Sequence, residues 1–278
     1  MPELPELEAT RQNLERWTAR AGPLLGVDVI DAKLAVDPEL LVGRRFIAWR
    51  RRGKQLRLEL ARPRARAADA TLFLHLGMTG KVVRLAPDDS ERLYKRMVLR
   101  FADRQLAFVD PRRFGDAHTV AGPSAAADDD RAWQGLGPDA LLEPLDAAAL
   151  ARAMGRGKTP LKSRLLEQQR VAGLGNIAVI EACFRARAHP HTPVDAVPAA
   201  AWKALVTGIR EHLEATLATT VGHDEIEYLS EGAASEFLVY GKEGLPCPRC
   251  RTPIARDVLA GRPTFTCPRC QPYPSEAR

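Results

Sequence analysis

Four cysteines within the last 32 residues carry the clearest chemistry of this 278-residue chain. CPRC at 247–250 and CPRC at 267–270 set Cys247, Cys250, Cys267 and Cys270 as two C-x2-C knuckles separated by 16 residues. Four thiolates at that spacing suit one structural Zn2+ held tetrahedrally, with no coordination position left open for catalysis. Two disulfides would use the same residues, but nothing in the sequence points to export. The fifth cysteine, Cys183, lies on an apolar helical stripe and reads as core.

The N-terminus offers a second chemistry. Once Met1 is removed, as the small residue after it permits, Pro2 carries a secondary amine. An α-amino group titrates near pH 8, against about 10.4 for a lysine, so much more of it is unprotonated at neutral pH. Attack of such an amine on an aldehyde-level carbon yields an iminium, an electron sink for elimination. Glu3 and Glu6 lie within one turn and could move protons. The same residues also make an ordinary helix start, a proline followed by acids.

Two glycine-flanked turns are a third feature. HLGMTG at 75–80 and DPRRFG at 110–115 put Met78, Arg112 and Phe114 where hairpin tips could present them to the gap left by a base that has quit its stack. Taken singly, Met78 and Phe114 read as core residues. Basic density surrounds these motifs. Residues 44–58 hold Arg44, Arg45, Arg50, Arg51, Arg52, Lys54 and Arg57 without an acid. Residues 152–170 hold six basic side chains against Glu167. Such runs are usually solvated faces, but together they could line a phosphate-binding surface. GLGN at 173–176 adds backbone amides and Asn176 at a helix start, which suits a phosphate oxygen as well as a plain helix–helix turn.

The elements that must position these groups follow from periodicity. Leu4, Leu7, Leu14 and Trp17 recur at helical spacing up to Ala21–Gly22–Pro23. From there to about Val120 the period is two: Leu56, Leu58 and Leu60 alternate with Gln55, Arg57 and Glu59, Leu72, Leu74 and Leu76 alternate likewise, and Lys81–Leu85, Met97–Phe101 and Gln105–Val109 are further strands. Short strands with turn residues between them predict an antiparallel β-sandwich. Helical patterns follow at Asp146–Met154, Pro160–Gln169, Ile177–Ala186 and Pro198–Thr219. The expected fold class is α+β: an N-terminal helix and antiparallel sandwich over 1–121, a linker at 122–131, a helical domain over 132–240 and a four-cysteine zinc finger over 241–275.

Composition narrows the function classes. Forty-one Lys and Arg against 35 Asp and Glu leave a net charge of +6 and a pI near 9.2, which favours a polyanionic partner. At 45% hydrophobic and 27% charged the chain is neither disordered nor fibrous. No apolar run approaches the roughly 18 residues of a membrane span. MPELPELEATRQ carries carboxylates where a signal peptide would be basic and then apolar, so neither secretion nor membrane insertion is expected.

PELPELE, RRGK at 51–54, HLGMTG, DPRRFG, LGPD at 136–139, AGLGNI at 172–177, VYGKEG at 239–244 and the paired CPRC knuckles occur in one order along nearly the whole chain. In that order the set resembles the formamidopyrimidine-DNA glycosylase family. The resemblance implies a bacterial, cytoplasmic and nucleoid-associated repair enzyme, a monomer acting on damaged double-stranded DNA, whose helical domain is a helix–two-turn–helix. It implies a bifunctional glycosylase and AP lyase for oxidised purines, with Pro2 the nucleophile, Glu3 the essential proton-transfer acid and Glu6 a supporting carboxylate. Lys54, counted with the catalytic set, and His75, Asn176 and Arg262 match phosphate-binding positions. Met78, Arg112 and Phe114 match the side chains inserted into the duplex, with Arg112 facing the orphaned base.

Two features depart from the family pattern. Ala178 stands where a tyrosine usually follows GNI, and the stretch His223–Ser235 is shorter than the family's loop over 8-oxoguanine. Residues 211–236 hold seven acids and no Lys or Arg, a poor surface for nucleic acid. The expectation is therefore weak action on 8-oxoguanine and better action on formamidopyrimidines. Two other readings share part of the pattern: an endonuclease VIII-like glycosylase for oxidised pyrimidines, and a zinc-containing DNA-binding protein without catalysis, which would leave PELPE unexplained.

Overall fold

The computed structural model describes residues 2–86, 93–128, 130–143, 145–226 and 237–273. They form two compact units, one of residues 1–135 with 217–228 and one of residues 136–216 with 229–278. No described helix is long and apolar enough to cross a membrane.

The first unit opens with helix α1 (Leu4–Thr18), followed by strands β1 (Gly26–Val29), β2 (Arg45–Arg52), β3 (Gln55–Ala61), β4 (Ala70–His75), β5 (Lys81–Leu85), β6 (Lys95–Arg100), β7 (Gln105–Val109) and β8 (Asp116–Ala121). The strands make two four-stranded antiparallel sheets, in the orders β1-β6-β7-β5 and β2-β3-β4-β8. Alternation puts Leu56, Leu58, Leu60, Leu72 and Leu74 of one sheet against Met97, Leu99, Leu106 and Phe108 of the other, and Leu7, Leu14 and Trp17 of α1 close the same core. The α+β class and the sandwich are as the sequence predicts.

One detail of the alternation differs. Gln55, Arg57 and Glu59, the polar positions of the alternation, are buried along with the leucines. Arg57 and Glu59 are covered by the stretch read as a linker and the residues just after it, which carry two short helices, α2 (Ser124–Asp128) and α3 (Arg131–Gln134). Arg57 bonds Glu59 at 3.0 Å, Asp128 and the Ser124 carbonyl, and its guanidinium lies 5.4 Å from the Trp133 ring. Ser124 Oγ donates to Glu59 Oε2 at 2.8 Å, and Phe73 stacks on His118 at 4.9 Å beside Trp133. Small and acidic residues show no apolar period, so this cover is invisible to a periodicity reading.

The second unit contains α4 (Ala147–Met154), α5 (Leu161–Leu165), α6 (Asn176–Arg185), most of α7 (Ala199–Thr220) and a terminal hairpin of β9 (Ala255–Leu259) and β10 (Arg262–Thr266). α5 is shorter than the predicted Pro160–Gln169. Past Leu165 the chain turns, and Gln168 takes over the free backbone groups: its Nε2 donates to the Leu166 and Leu174 carbonyls while its Oε1 accepts from Gly173 N–H. Cys183 is fully buried, and burial pushes its thiol up to about 12, as befits an inert core residue.

Replacing Arg57 with Leu removes the guanidinium that ties Asp128 and the Ser124 carbonyl to the sheet, while Arg50 and Ser124 still engage Glu59, so the stability of the first unit is expected to fall by about 1–3 kcal/mol. Urea unfolding followed by tryptophan fluorescence checks this, and a loss under about 1 kcal/mol would show that α2 and α3 are not anchored through Arg57.

Candidate active site

In the first unit the site begins at the N-terminus of α1. Glu3 is the N-cap and Glu6 the third helical residue, and the two close a capping box in which the Glu3 N–H donates to Glu6 Oε2 at 2.9 Å. Pro2 and Glu3 are buried and Glu6 is half-buried. Withdrawal from water and the nearby Glu3 carboxylate raise the Glu6 carboxyl above its ordinary value, so it keeps a proton longer than an exposed glutamate.

About one helical turn on, Glu8 ties α1 to the sheet. Its Oε2 accepts from Arg51 Nε at 3.0 Å, in a pair whose Arg51 side chain is 0% exposed. Arg51 Nη1 also donates to the Gly53 carbonyl at 3.0 Å. Gly53 and Lys54 form the β2–β3 turn, so one guanidinium clamps the helix that starts behind Pro2 to the turn that carries Lys54. Burial works against the Glu8 charge, but hydrogen bonds from Arg11 and Arg51 outweigh it and hold the carboxyl below its ordinary value.

Strand register gathers the other motifs at the same end of the sandwich. His75 pairs with Gln55, next to Lys54, and with Asp116, next to the DPRRFG turn. Burial and the Lys54 charge lower the His75 pKa, and its Nδ1 accepts from Gly77 N–H at 3.2 Å. The two glycine turns lie backbone on backbone. Gly77 has φ +64°, and a Cβ there would come within 2.5 Å of the Phe114 carbonyl carbon and Gly115 N. Asp110 stitches them together: it accepts from Thr79 Oγ1, from Arg112 N–H at 3.2 Å and from Gly115 N–H at 2.7 Å.

Behind the turn lies a buried charge cluster that the sequence reading missed. Asp31 accepts from Arg113 Nε at 2.8 Å and from Arg96 Nε at 2.7 Å, and Arg96 also donates to the Gly115 carbonyl at 2.6 Å. Arg113 and Arg96 hold the Asp31 carboxyl far below the usual range. So anchored, the turn projects Arg112 and Phe114 together, the guanidinium 4.7 Å from the ring centroid. Phe114 is 56% exposed and Met78 38%, so neither is the core residue that each would be if read alone.

The basic runs divide sharply. Arg51, Arg57 and Lys162 are buried and line no surface, whereas Arg50, Arg152, Arg156 and Lys158 are exposed, as are Arg112 and Arg262 outside the runs. The acids after α7 are partly engaged: Asp224 pairs with Arg16, and Glu225 lies 3.6 Å from Lys81. Residues 227–236, most of the shortened loop, lie outside the described residues, and Ala178 is fully buried.

The second unit holds the remaining candidates. The four cysteine sulfurs lie within 4.8 Å of one another, with Cys247–Cys270 at 3.9 Å and Cys250–Cys267 at 3.4 Å. Zn–S bonds of about 2.3 Å in a tetrahedron need sulfurs about 3.8 Å apart, so the set fits one zinc ion. Backbone N–H groups of Arg249 and Cys270 point at the Cys247 and Cys267 sulfurs, both at 3.4 Å. Arg262 opens β10. Asn176 opens α6 and is buried; its Nδ2 donates to the Pro263 carbonyl at 3.1 Å.

Three family models match this chain: the formamidopyrimidine-DNA glycosylase N-terminal domain over residues 1–117, the formamidopyrimidine-DNA glycosylase H2TH domain over 136–227 and a zinc finger found in FPG and IleRS over 244–272. A formamidopyrimidine-DNA glycosylase of Kineococcus radiotolerans is 36% identical, over 99% of this chain and 98% of that one. Another, of Methylobacillus flagellatus, is 34% identical over 98% and 96%. Among solved structures, MutM (Fpg) of Thermus thermophilus superposes with a TM-score of 0.83 at 34% identity, over 98% of this chain and 100% of that one. Lactococcus lactis Fpg, bound to DNA containing an oxidised pyrimidine, gives 0.85 at 28% identity over the same shares.

Two outcomes test this arrangement. Glu8→Gln leaves Arg51 buried without its charge partner and is expected to cost about 3–5 kcal/mol at neutral pH. Because the folded-state pKa of Glu8 is lowered, its contribution is complete above the unfolded value near 4.3 and fades as pH falls through the folded one. The acid limb of a stability–pH curve is therefore expected to be shallower in the variant, and an unchanged limb would show that the pair is not formed. Gly77→Ala forces apart the two turns at a cost of about 1–3 kcal/mol. Affinity for damaged duplex is expected to drop while zinc content stays at one per chain; unchanged affinity would exclude this turn from the interface.

Proposed function

We propose, for a chain that belongs to the formamidopyrimidine-DNA glycosylase family and is a DNA glycosylase of base excision repair, a bifunctional reaction on damaged duplex DNA with Pro2 as nucleophile. The observation that carries it is the seating of Pro2 and Glu3 at the start of a helix clamped by Glu8 and Arg51 to the Lys54 turn.

The processed Pro2 nitrogen attacks C1′ of the lesion nucleotide, and the bond from C1′ to the base breaks as the base leaves with a proton. Opening of the sugar at O4′ leaves an iminium between Pro2 and C1′. Glu3 carries the proton transfers, while Glu6, its carboxyl raised above the ordinary value by burial and the Glu3 charge, supports them. The iminium charge acidifies the C2′ proton, and its loss expels the 3′ phosphate; a second elimination expels the 5′ phosphate. Lys54 and His75 act on phosphates beside the reacting sugar, and Asn176 and Arg262 on phosphates reached from the second unit. Met78, Arg112 and Phe114 fill the vacated stack, a role favoured by their exposure on anchored turns. Cys247, Cys250, Cys267 and Cys270 hold the zinc ion, which supplies folding energy to the hairpin that presents Arg262.

Substrate choice follows from the same residues. The Arg112 guanidinium donates to acceptors, which suits the pairing edge of cytosine better than that of adenine, so a lesion opposite C is expected to be processed faster than one opposite A. The short stretch after Gly222 favours formamidopyrimidines over 8-oxoguanine, because an everted 8-oxoguanine differs little from guanine and needs contacts around the flipped base.

Pro2→Gly is expected to reduce borohydride trapping and strand cleavage by at least about tenfold, more than 1.4 kcal/mol of barrier, with DNA affinity nearly unchanged. Full trapping by protein that retains Met1 would rule the mechanism out, since an amide nitrogen is not nucleophilic. Single-turnover rates on formamidopyrimidine:C, 8-oxoguanine:C and 8-oxoguanine:A duplexes test the substrate order, which fails if 8-oxoguanine:C is the fastest or if the base opposite makes no difference.

A further inference from the structure

Lys162 is the most anomalous charge in the second unit. It belongs to a basic run, yet its side chain is 0% exposed and it forms no ion pair among the described residues. Its three ammonium protons instead find Thr264 Oγ1 at 2.7 Å, the Pro263 carbonyl at 3.0 Å and the Arg262 carbonyl at 3.3 Å. A lysine has three donors, so this tripod uses all of them on three consecutive residues. Withdrawing an ammonium from water costs several kcal/mol unless its partners are well placed, so the tripod has to hold its geometry.

The residues so held are the first three of β10, and the first is Arg262. Fixing the two peptide carbonyls that flank Pro263, whose own φ is locked by its ring, fixes the direction in which the exposed Arg262 side chain leaves the strand. The Pro263 carbonyl is shared, accepting from Asn176 Nδ2 as well. Asn176 and Arg262 are thus tied through one oxygen, with Lys162 beneath both.

We propose that Lys162 is a positioning residue for DNA binding: it touches no phosphate, but locks Arg262 and Asn176 into one preorganised phosphate-binding pair. This rests on the reading of those two residues as phosphate contacts. A buried cation acting only through its long-range field would add its effect to that of Arg262, whereas a positioning role makes the two effects overlap.

A double-mutant cycle separates these cases. Lys162→Met keeps the stem and removes the charge and donors; Arg262→Ala removes the contact. Both are measured for zinc content and for affinity across a salt series, with a duplex containing a tetrahydrofuran abasic-site analogue that cannot be cleaved. Each single variant is expected to bind about tenfold more weakly, as for one lost charge-assisted contact, and to flatten the salt slope by about 0.9. The double variant is expected to be no worse than about twofold below either, since the same contact is lost once. Additive losses would overturn the positioning role. An Arg262→Ala protein with unchanged affinity and slope would instead overturn the phosphate reading on which it rests. Should Lys162→Met lose zinc, Thr264→Val removes one leg of the tripod and keeps the lysine; a weaker, non-additive loss supports the proposal and an additive one contradicts it.

Discussion

The geometry of the candidate active site in the first unit depends on one of its buried ion pairs, Glu8 with Arg51. A helix end is a poor place to fix a reactive group, because its first N–H groups have no intrahelical partner and the chain frays. Here the first turn is closed by the Glu3–Glu6 capping box, and the next is fastened to the sheet by a guanidinium that also grips the Gly53 carbonyl. Such a pair contributes little net stability over a well-packed apolar substitute, but breaking it is costly. Its value lies in direction: it allows one orientation of α1 against the β2–β3 turn, and the residues at both ends of that clamp are the proposed nucleophile and a proposed phosphate ligand.

The same device recurs at the other candidate sites. Arg112 and Phe114 project from a turn whose backbone is held by Asp110 and Arg96, with Asp31 behind it. Arg262 leaves a strand held by Lys162, while Arg249 grips the other end of α6, donating to the Phe184 and Arg185 carbonyls with its guanidinium 4.4 Å from the Phe184 ring. α6 is therefore bound at its start through Asn176 and at its finish through a CPRC arginine. The zinc segment shares its core with that helix through Ile180, Phe184 and Phe265. Metal site, helix and hairpin form one piece, so loss of zinc is expected to weaken DNA binding even if the metal touches no DNA.

Much of this was legible in the sequence. The paired knuckles, the leucine alternation of β3 and β4 and the ordered motifs sufficed for the sandwich, the helical segment and the metal site, because each is a local pattern. Long-range polar pairing was not legible. Arg51, Arg57 and Lys162 sit in runs that resemble a solvated or DNA-facing surface, and only the fold reveals that they are buried against Glu8, Glu59 and the β10 carbonyls. Arg113 adjoins Arg112 in DPRRFG, yet one faces Asp31 and the other solvent; two adjacent arginines on a turn carry no sign of which is the anchor. Met78 and Phe114 mislead in the opposite sense, as apolar residues that the turns hold exposed.

Identifying the atom that bonds to the sugar tests the central claim most directly, because two amines, those of Pro2 and Lys54, are carried by the two elements that Arg51 joins. Tandem mass spectrometry of the borohydride-reduced adduct on an abasic-site duplex, after proteolysis, locates the attachment. The expected result is a single modified peptide beginning at Pro2, with the deoxyribose remnant on the proline nitrogen. A remnant on Lys54, or on any other lysine, would contradict it.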